Sequence, residues 1–252
     1  MRGGHSRARL ATAAVGLVLV VGGFAWAVTD LPAFGHYHHR YGAYLAQHSL
    51  PQRGATNSIN VITFDYRGFD TLGEEFILFV AVVGVVVLLR RLRGEEDESD
   101  EDINESQPLA SESLRWLGVA SAAPLAVIGA YVVTHGQLTP GGGFQGGVIL
   151  MAAVTIVFVG GEFMIMLRLR ARAQFLEMGE ALGAAGLAVL GFGGLIASGV
   201  FFENFIPHGH RGSLFSGGFL TIANLAVGIE VAGAILMVLA ELLDQRLLTR
   251  PA

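Results

Sequence analysis

The 252-residue sequence contains no cysteine and no lysine, and only 15% of its residues are charged. Without a thiol there is no disulfide and no iron–sulfur or zinc centre held by thiolates of this chain, so any redox centre would belong to a partner. All sixteen basic residues are arginine, which reads as a compositional bias rather than as mechanism. The sequence also lacks a nucleophile and base at a workable spacing, a phosphate-binding loop and a metal-ligand set. It is therefore not expected to be an enzyme, to carry a cofactor or metal, or to bind nucleic acid.

What the chain has instead is apolar length. Hydrophobic residues make up 52% of it, glycine contributes 35 residues, and the mean hydropathy is +0.56. That is too apolar for a soluble domain of this size and predicts an all-α, polytopic membrane protein. The net charge of −5 rests on one acidic run, Glu95 to Glu105, which cannot bury enough apolar surface to order itself and reads as a linker.

About six spans are expected: Leu10 to Thr29, Phe76 to Leu89, Trp116 to Thr134, Val148 to Leu167, Met178 to Phe202 and Phe219 to Leu243. The first follows Arg2, Arg7 and Arg9. It exceeds a signal-peptide core and lacks a clean small-x-small cleavage site, so it reads as a spanning helix. Pro124 should kink the third span by freeing the carbonyl of Ala120. Twelve of the sixteen arginines fall in the N-terminus, residues 90–115, residues 168–172 and the C-terminus. In a six-span arrangement these share one side, which the positive-inside rule makes cytoplasmic, with both termini inside.

Two polar stretches interrupt the apolar runs. Residues 30–58 hold His36, His38, His39 and His48 with several tyrosines. No carboxylate stands close by at ligand spacing, so a wet loop or surface helix is expected rather than a metal site. Asn60 to Glu74 alternates in polarity from Val61 to Phe69, as a short extended or amphipathic segment would. Asp70, Thr71 and Glu74 then read as a helix start with acid in its first turn, and Arg67 can pair with Asp65 or Asp70.

Thr139, Pro140, Gly141, Gly142, Gly143, Phe144, Gln145, Gly146 and Gly147 form an uncharged, glycine-rich stretch between two spans. Three glycines after a proline disfavour a regular helix, each costing about 1 kcal/mol relative to alanine. Irregular backbone is expected here, with Gln145 as its only amide side chain. This stretch resembles the signature of the B-type membrane component of the multisubunit Mrp-type Na+/H+ antiporters, and membrane-bound hydrogenases carry a similar component. Arg67-Gly68-Phe69-Asp70-Thr71-Leu72-Gly73-Glu74 is similar to a motif of the small hydrogenase membrane component, whose counterpart lies at the C-terminal end of the large A-type component of the antiporter.

The resemblance implies a membrane subunit of a multisubunit cation/proton antiporter in the cell membrane. Its partners would be the other membrane subunits and the lipid bilayer, with Na+ and H+ as the transported ions. It divides the chain into a two-span module at 1–93, the acidic linker at 94–114 and a four-span B-type module at 115–252. This fusion departs from the usual pattern, in which the small module ends the A-type component. Alternatives are a membrane subunit of an ion-pumping hydrogenase or complex I-like oxidoreductase, and a purely structural subunit.

Candidate ion-path residues are the carboxylates at depth. Glu230 lies about 18 Å into the sixth span at 1.5 Å per residue, where a charge costs about 2.5 to 3.5 kcal/mol. It must be neutral, paired or wet, and Ala223, Ala226, Gly233 and Ala234 flank it at helical spacing. Glu241 lies on the same face, about 16 Å further. Glu162 follows Gly160 and Gly161 in the fourth span and is the second candidate for proton exchange. Glu203 sits with Asn204, His208 and His210 at the outer end of the fifth. Glu177 and Glu180 read as helix-dipole partners at that span's start. Gly179-x-x-x-Gly183, Gly193-x-x-x-Ala197 and Gly228-x-x-x-Ala232 predict close helix contact.

Overall fold

A computed structural model describes residues 3–29, 31, 40–89, 111–160 and 173–248. It is all helical among these residues, and it divides into two units, Met1–Ala43 and Tyr44–Ala252. The first contains α1 (Gly3–Thr29), whose apolar stretch Ala11–Thr29 has a mean hydropathy of 2.1 and no buried residue. The linker run Glu95 to Glu105, Glu162, and His36, His38 and His39 lie outside the described residues.

Helix α2 (Arg40–Arg53), part of the second unit from Tyr44 onward, is the expected surface helix, with His48 stacked on Tyr44. The short α3 (Ser58–Val61) is capped by Asn57, whose side chain accepts from the N–H groups of Ile59 and Asn60. A π-helical turn, Ile62–Tyr66, follows, and then α4 (Gly68–Leu89). The extended option for Val61 to Phe69 is thus wrong. The alternation that suggested a strand comes from a helix whose π-turn shifts its buried face.

Beyond the linker come α5 (Glu112–Thr134), α6 (Gly143–Val159), α7 (Ala173–Ser198) and α8 (Leu220–Leu248). Counting α1, five helices among the described residues are long and apolar enough to cross a membrane, and α6 is a shorter apolar helix. Ser111 caps α5 by accepting from Leu114 N–H, and Pro124 lies inside it. The fifth span ends at Ser198 rather than Phe202. Gly199 takes a φ of +80°, and the chain doubles back so that Phe202 N–H donates to Gly191 O.

The central helix is α8, contacted by α4, α5, α6 and α7. Its inner-face residues Leu220, Ala223, Val227 and Val231, with Phe219 just before the helix, meet Leu187 and Leu190 of α7 and Val61 and Phe64 in one core cluster. Val82 of α4 packs on Ala234 and Met237 in a second.

The glycine-rich stretch is irregular only as far as Gly142. Gly141 needs its φ of +135°, which L side chains rarely adopt. Helix α6 starts at Gly143, so Phe144 to Gly147 are helical, against expectation. The reason is tertiary. A Cβ on Gly143 would lie 2.4 Å from Asn224 O, and one on Gly147 would lie 2.8 Å from Gly228 O. These two glycines, one turn apart, let α6 rest directly on the backbone of α8. Close contact of that kind outweighs a propensity cost of about 1 kcal/mol per glycine.

Candidate functional site

Three glutamates from three helices meet inside the bundle: Glu75 on α4, Glu180 on α7 and Glu230 on α8. Their exposures are 2%, 2% and 0%. The register of α4 explains Glu75, because Gly68, Thr71, Glu75 and Val82 share its buried face. Glu74, the motif residue, points outward.

Glu180 is not the helix-end acid expected from sequence. Because α7 starts at Ala173, Glu180 lies two turns inside and faces α8. It and Glu230 are seated reciprocally across an antiparallel pair. A Cβ on Gly183 would come 2.5 Å from the Glu230 Cβ, and Gly233 faces the Glu180 backbone nitrogen at 3.5 Å and its Cβ at 3.9 Å. Each glutamate therefore occupies the space left by a glycine three residues beyond the other.

The Glu75 carboxyl lies against that of Glu230, near enough for a hydrogen bond once one of them is protonated, and Glu180 is electrostatically coupled to Glu230. Among the described residues the other charged groups that act on the three are Glu74 and Glu177, also acidic. Both Oε atoms of Glu230, Oε2 of Glu75 and Oε1 of Glu180 are buried without a hydrogen-bond partner among the described residues. Such a set cannot be fully ionised cheaply, and each proton or cation taken up removes buried charge. Glu75 lies about 10 Å from the start of α4, Glu230 about 15 Å from the start of α8, and Glu180 about 10 Å from the opposite end of the bundle at 1.5 Å per residue. The row of carboxyls thus runs obliquely through it.

One end of the bundle is closed by a polar cap. The Asn57 side chain donates to the carbonyls of Gly136 and Thr139 at 2.7 and 2.9 Å, gathering the turn after α5. Asn224, fully buried, exchanges two hydrogen bonds with Asn60 at 2.9 and 3.0 Å, and its Oδ1 also accepts from Gly143 N–H at 2.9 Å. Asp65 accepts from Arg53 Nε at 2.9 Å and from Asn204 Nδ2 at 2.8 Å. Burial raises the Asp65 carboxyl above its ordinary 3.8, against the lowering effect of Asn204 and Arg53.

Of the residues singled out from sequence, Glu230 sits at the centre of the row. Glu241 is half-buried further along α8. Glu203 belongs to the cap, its side chain 41% exposed and 3.7 Å from Arg53. Arg67 pairs with Asp70 at the surface, and Thr71 donates to Thr63 O at 2.6 Å. Pro140, Phe144 and Gln145 are exposed, and Thr139 is half-buried. Sequence reasoning passed over Glu75, because residues three and four beyond Thr71 both lie on its side of a helix and the sequence does not choose between Glu74 and Glu75. No group of three potential metal ligands occurs among the described residues.

Comparison with known proteins adds the following. Residues 113–237 match the MnhB family, described as a domain related to the MnhB subunit of Na+/H+ antiporter, and residues 6–106 match the MbhE family, described as a subunit of MBH. The probable K+/H+ antiporter A/B protein of Rhizobium meliloti is 28% identical over 140 residues, covering 47% of this chain and 14% of that protein. A chain in the membrane-bound sulfane sulfur reductase, an archaeal respiratory membrane complex, superposes with a TM-score of 0.67 at 27% identity, covering 93% of this chain and 98% of that one. A chain of the Mrp complex from Dietzia sp. DQ12-45-1b superposes with a TM-score of 0.63 at 25% identity, covering 96% of this chain and 26% of that one. The chain thus spans only a fraction of the length of these antiporter relatives.

Proposed function

We propose, from the match of residues 113–237 to the MnhB-related family and of residues 6–106 to the MbhE family, that this chain is a non-catalytic membrane subunit of a multisubunit cation/proton antiporter. Within it, Glu230 takes up and releases a proton during turnover. The observation that carries this role is the buried row Glu75, Glu230 and Glu180, whose carboxyl oxygens no basic side chain offsets among the described residues. The row crosses the middle of the bundle, from about 10 Å inside one end to about 10 Å inside the other, and proton transfer along it needs only neighbouring carboxyls or bridging waters.

The two modules, 1–93 and 115–252, join through the acidic linker at 94–114. The Asn60–Asn224 and Asp65–Asn204 bonds hold the second half of the first module against the other. The arginine distribution supports a plasma-membrane subunit with both termini cytoplasmic. Na+ and H+ are the proposed ions, and the remaining membrane subunits are the proposed partners. Glu162 and Glu241 extend the proposed path, and Glu203 marks its outer end.

The test is Na+-driven pH change in vesicles carrying the assembled complex with Glu230→Gln, beside Glu75→Gln and Glu74→Gln. The first two should lose transport with complex abundance unchanged, and the third should retain it. Wild-type rates in Glu230→Gln at normal abundance would reject the role.

A second reading is favoured by the near-complete coverage of both chains in the match to the sulfane sulfur reductase complex. On that reading the same helices serve a redox-driven pump. Iron–sulfur subunits recovered with the tagged chain from its native membrane would decide for it.

A further inference from the structure

We infer that the groove between α5, α6 and α8 holds one acyl chain of a phospholipid, whose phosphate sits at Arg115. The inference does not depend on the antiporter reading. The groove has a volume of about 490 Å³, and only alanine, valine and leucine line it, among them Ala122 and Ala126 of α5, Ala153 and Val157 of α6, and Ala232 and Leu236 of α8. Its shape follows from where the helices touch. Gly118 and Gly129 let α5 lie along α6, since a Cβ on the first would come 2.7 Å from Ile156 O and one on the second 2.9 Å from Leu150 Cγ. Gly147 seats α8 on the same helix. Helices α5 and α8 touch each other near the polar cap, where Val133 packs on Gly228. Further from the cap both line the groove across α6, so the space between them narrows toward that contact.

The lining selects hydrocarbon. Without a polar side chain the groove offers water or an ion no partner, and left empty it forfeits the dispersion contacts of its walls. The dimensions select a slim occupant. The floor from Leu150 to Val157 spans about 10 Å, over which a helix of about 10 Å diameter would need roughly 800 Å³. That exceeds the space available, whereas a single acyl chain is narrow enough to enter a wedge. The charge at the end away from the cap selects the headgroup. Arg115 precedes Ala122 by two turns on the same stripe of α5, about 10 Å nearer the start of the helix. Its side chain is exposed, and a guanidinium matches the geometry of phosphate oxygens. Trp116 beside it is exposed too, and tryptophan gathers at the level of lipid headgroups. A phospholipid with its phosphate there would run its chain along Ala122 and Ala126 into the groove.

The test uses the full chain purified from its native membrane with the subunits that accompany it, stripped of lipid in detergent. The probe is phosphatidylglycerol carrying a diazirine at mid-chain, and peptide mass spectrometry reads the adducts after illumination. Wild type should give a saturable adduct within residues 122–126 or 150–157, displaced by unlabelled phosphatidylglycerol. Ala126→Phe fills the groove and should lower the adduct about tenfold. Val127→Phe, at a position 70% exposed, should leave it unchanged. Arg115→Gln should weaken displacement by phosphatidylglycerol but not by diacylglycerol, which has no phosphate. Labelling that does not saturate, or that Ala126→Phe does not reduce, would overturn the site and leave ordinary annular lipid. Groove peptides that stay unlabelled in the assembled complex would overturn it as well and assign the groove to a partner subunit. Saturation is measured on wild type, so it decides even if Ala126→Phe fails to assemble.

Discussion

Replacing Gly183 by alanine tests whether the reciprocal seating of Glu180 and Glu230 matters. The added methyl group would lie 2.5 Å from Glu230 Cβ, 2.6 Å from Ala226 O and 2.9 Å from Glu230 N. All three are backbone or Cβ atoms, so no rotamer change relieves the overlap. Restoring ordinary contact requires α7 and α8 to separate by about 0.9 Å, and overpacking of this kind costs about 1 to 3 kcal/mol. The intrinsic gain of alanine over glycine in a helix, up to about 1 kcal/mol, offsets only part of that.

The functional effect should exceed the effect on stability. A misplacement of about 1 Å costs on the order of 10²-fold where groups must be aligned, and here it shifts Glu230 relative to Glu75 and Glu180. Two neighbouring glycines serve as graded controls. A Cβ on Gly186 meets Ala226 Cβ at 3.2 Å, and one on Gly179 meets Ile229 Cγ2 at 3.4 Å. Na+-dependent dye dequenching in everted vesicles, normalised to assembled complex, should therefore rank the alanine variants Gly179 above Gly186, with Gly183 far below. A Gly183→Ala complex that assembles and transports like Gly179→Ala would refute the argument.

Two further outcomes are expected at the cap. Asn224→Leu removes both bonds to Asn60 and the acceptor for Gly143 N–H. Buried groups left without partners cost about 1 to 3 kcal/mol each, so the detergent-solubilised Tm should fall by about 5 °C or more, and an unchanged Tm would contradict this. At Asp65, burial raises the folded-state value above 3.8. The folded form therefore keeps its proton to higher pH than the unfolded chain. This group's contribution to stability is complete below 3.8 and is lost as pH rises through the raised value. Amide-exchange protection around residues 60–66 should accordingly increase on acidification, and that dependence should flatten in Asp65→Asn.

The apolar runs already specified an all-helical membrane protein, because in lipid each backbone polar group must be satisfied within its own helix. The same runs located most span ends to within about five residues, although α4 starts at Gly68, eight residues before the expected Phe76, and the expected end of the fourth span lies outside the described residues. Glu230 was also legible, since a lone acid in the middle of a long apolar run is costly wherever the helix packs. Glu75 and Glu180 were not. Both stand near another acid close to a helix start, and sequence cannot say which of Glu74 and Glu75 faces inward until a neighbouring helix defines the face. The start of α6 escaped for a related reason. Glycine's propensity argues for a loop, and only the backbone of α8 lying against Gly143 and Gly147 makes a helix the better solution. Composition and local pattern thus determined which segments are helices and which acid lies deepest. The tertiary structure decided which acids meet, because that depends on the rotation of each helix about its axis, set by the glycines through which α6, α7 and α8 touch.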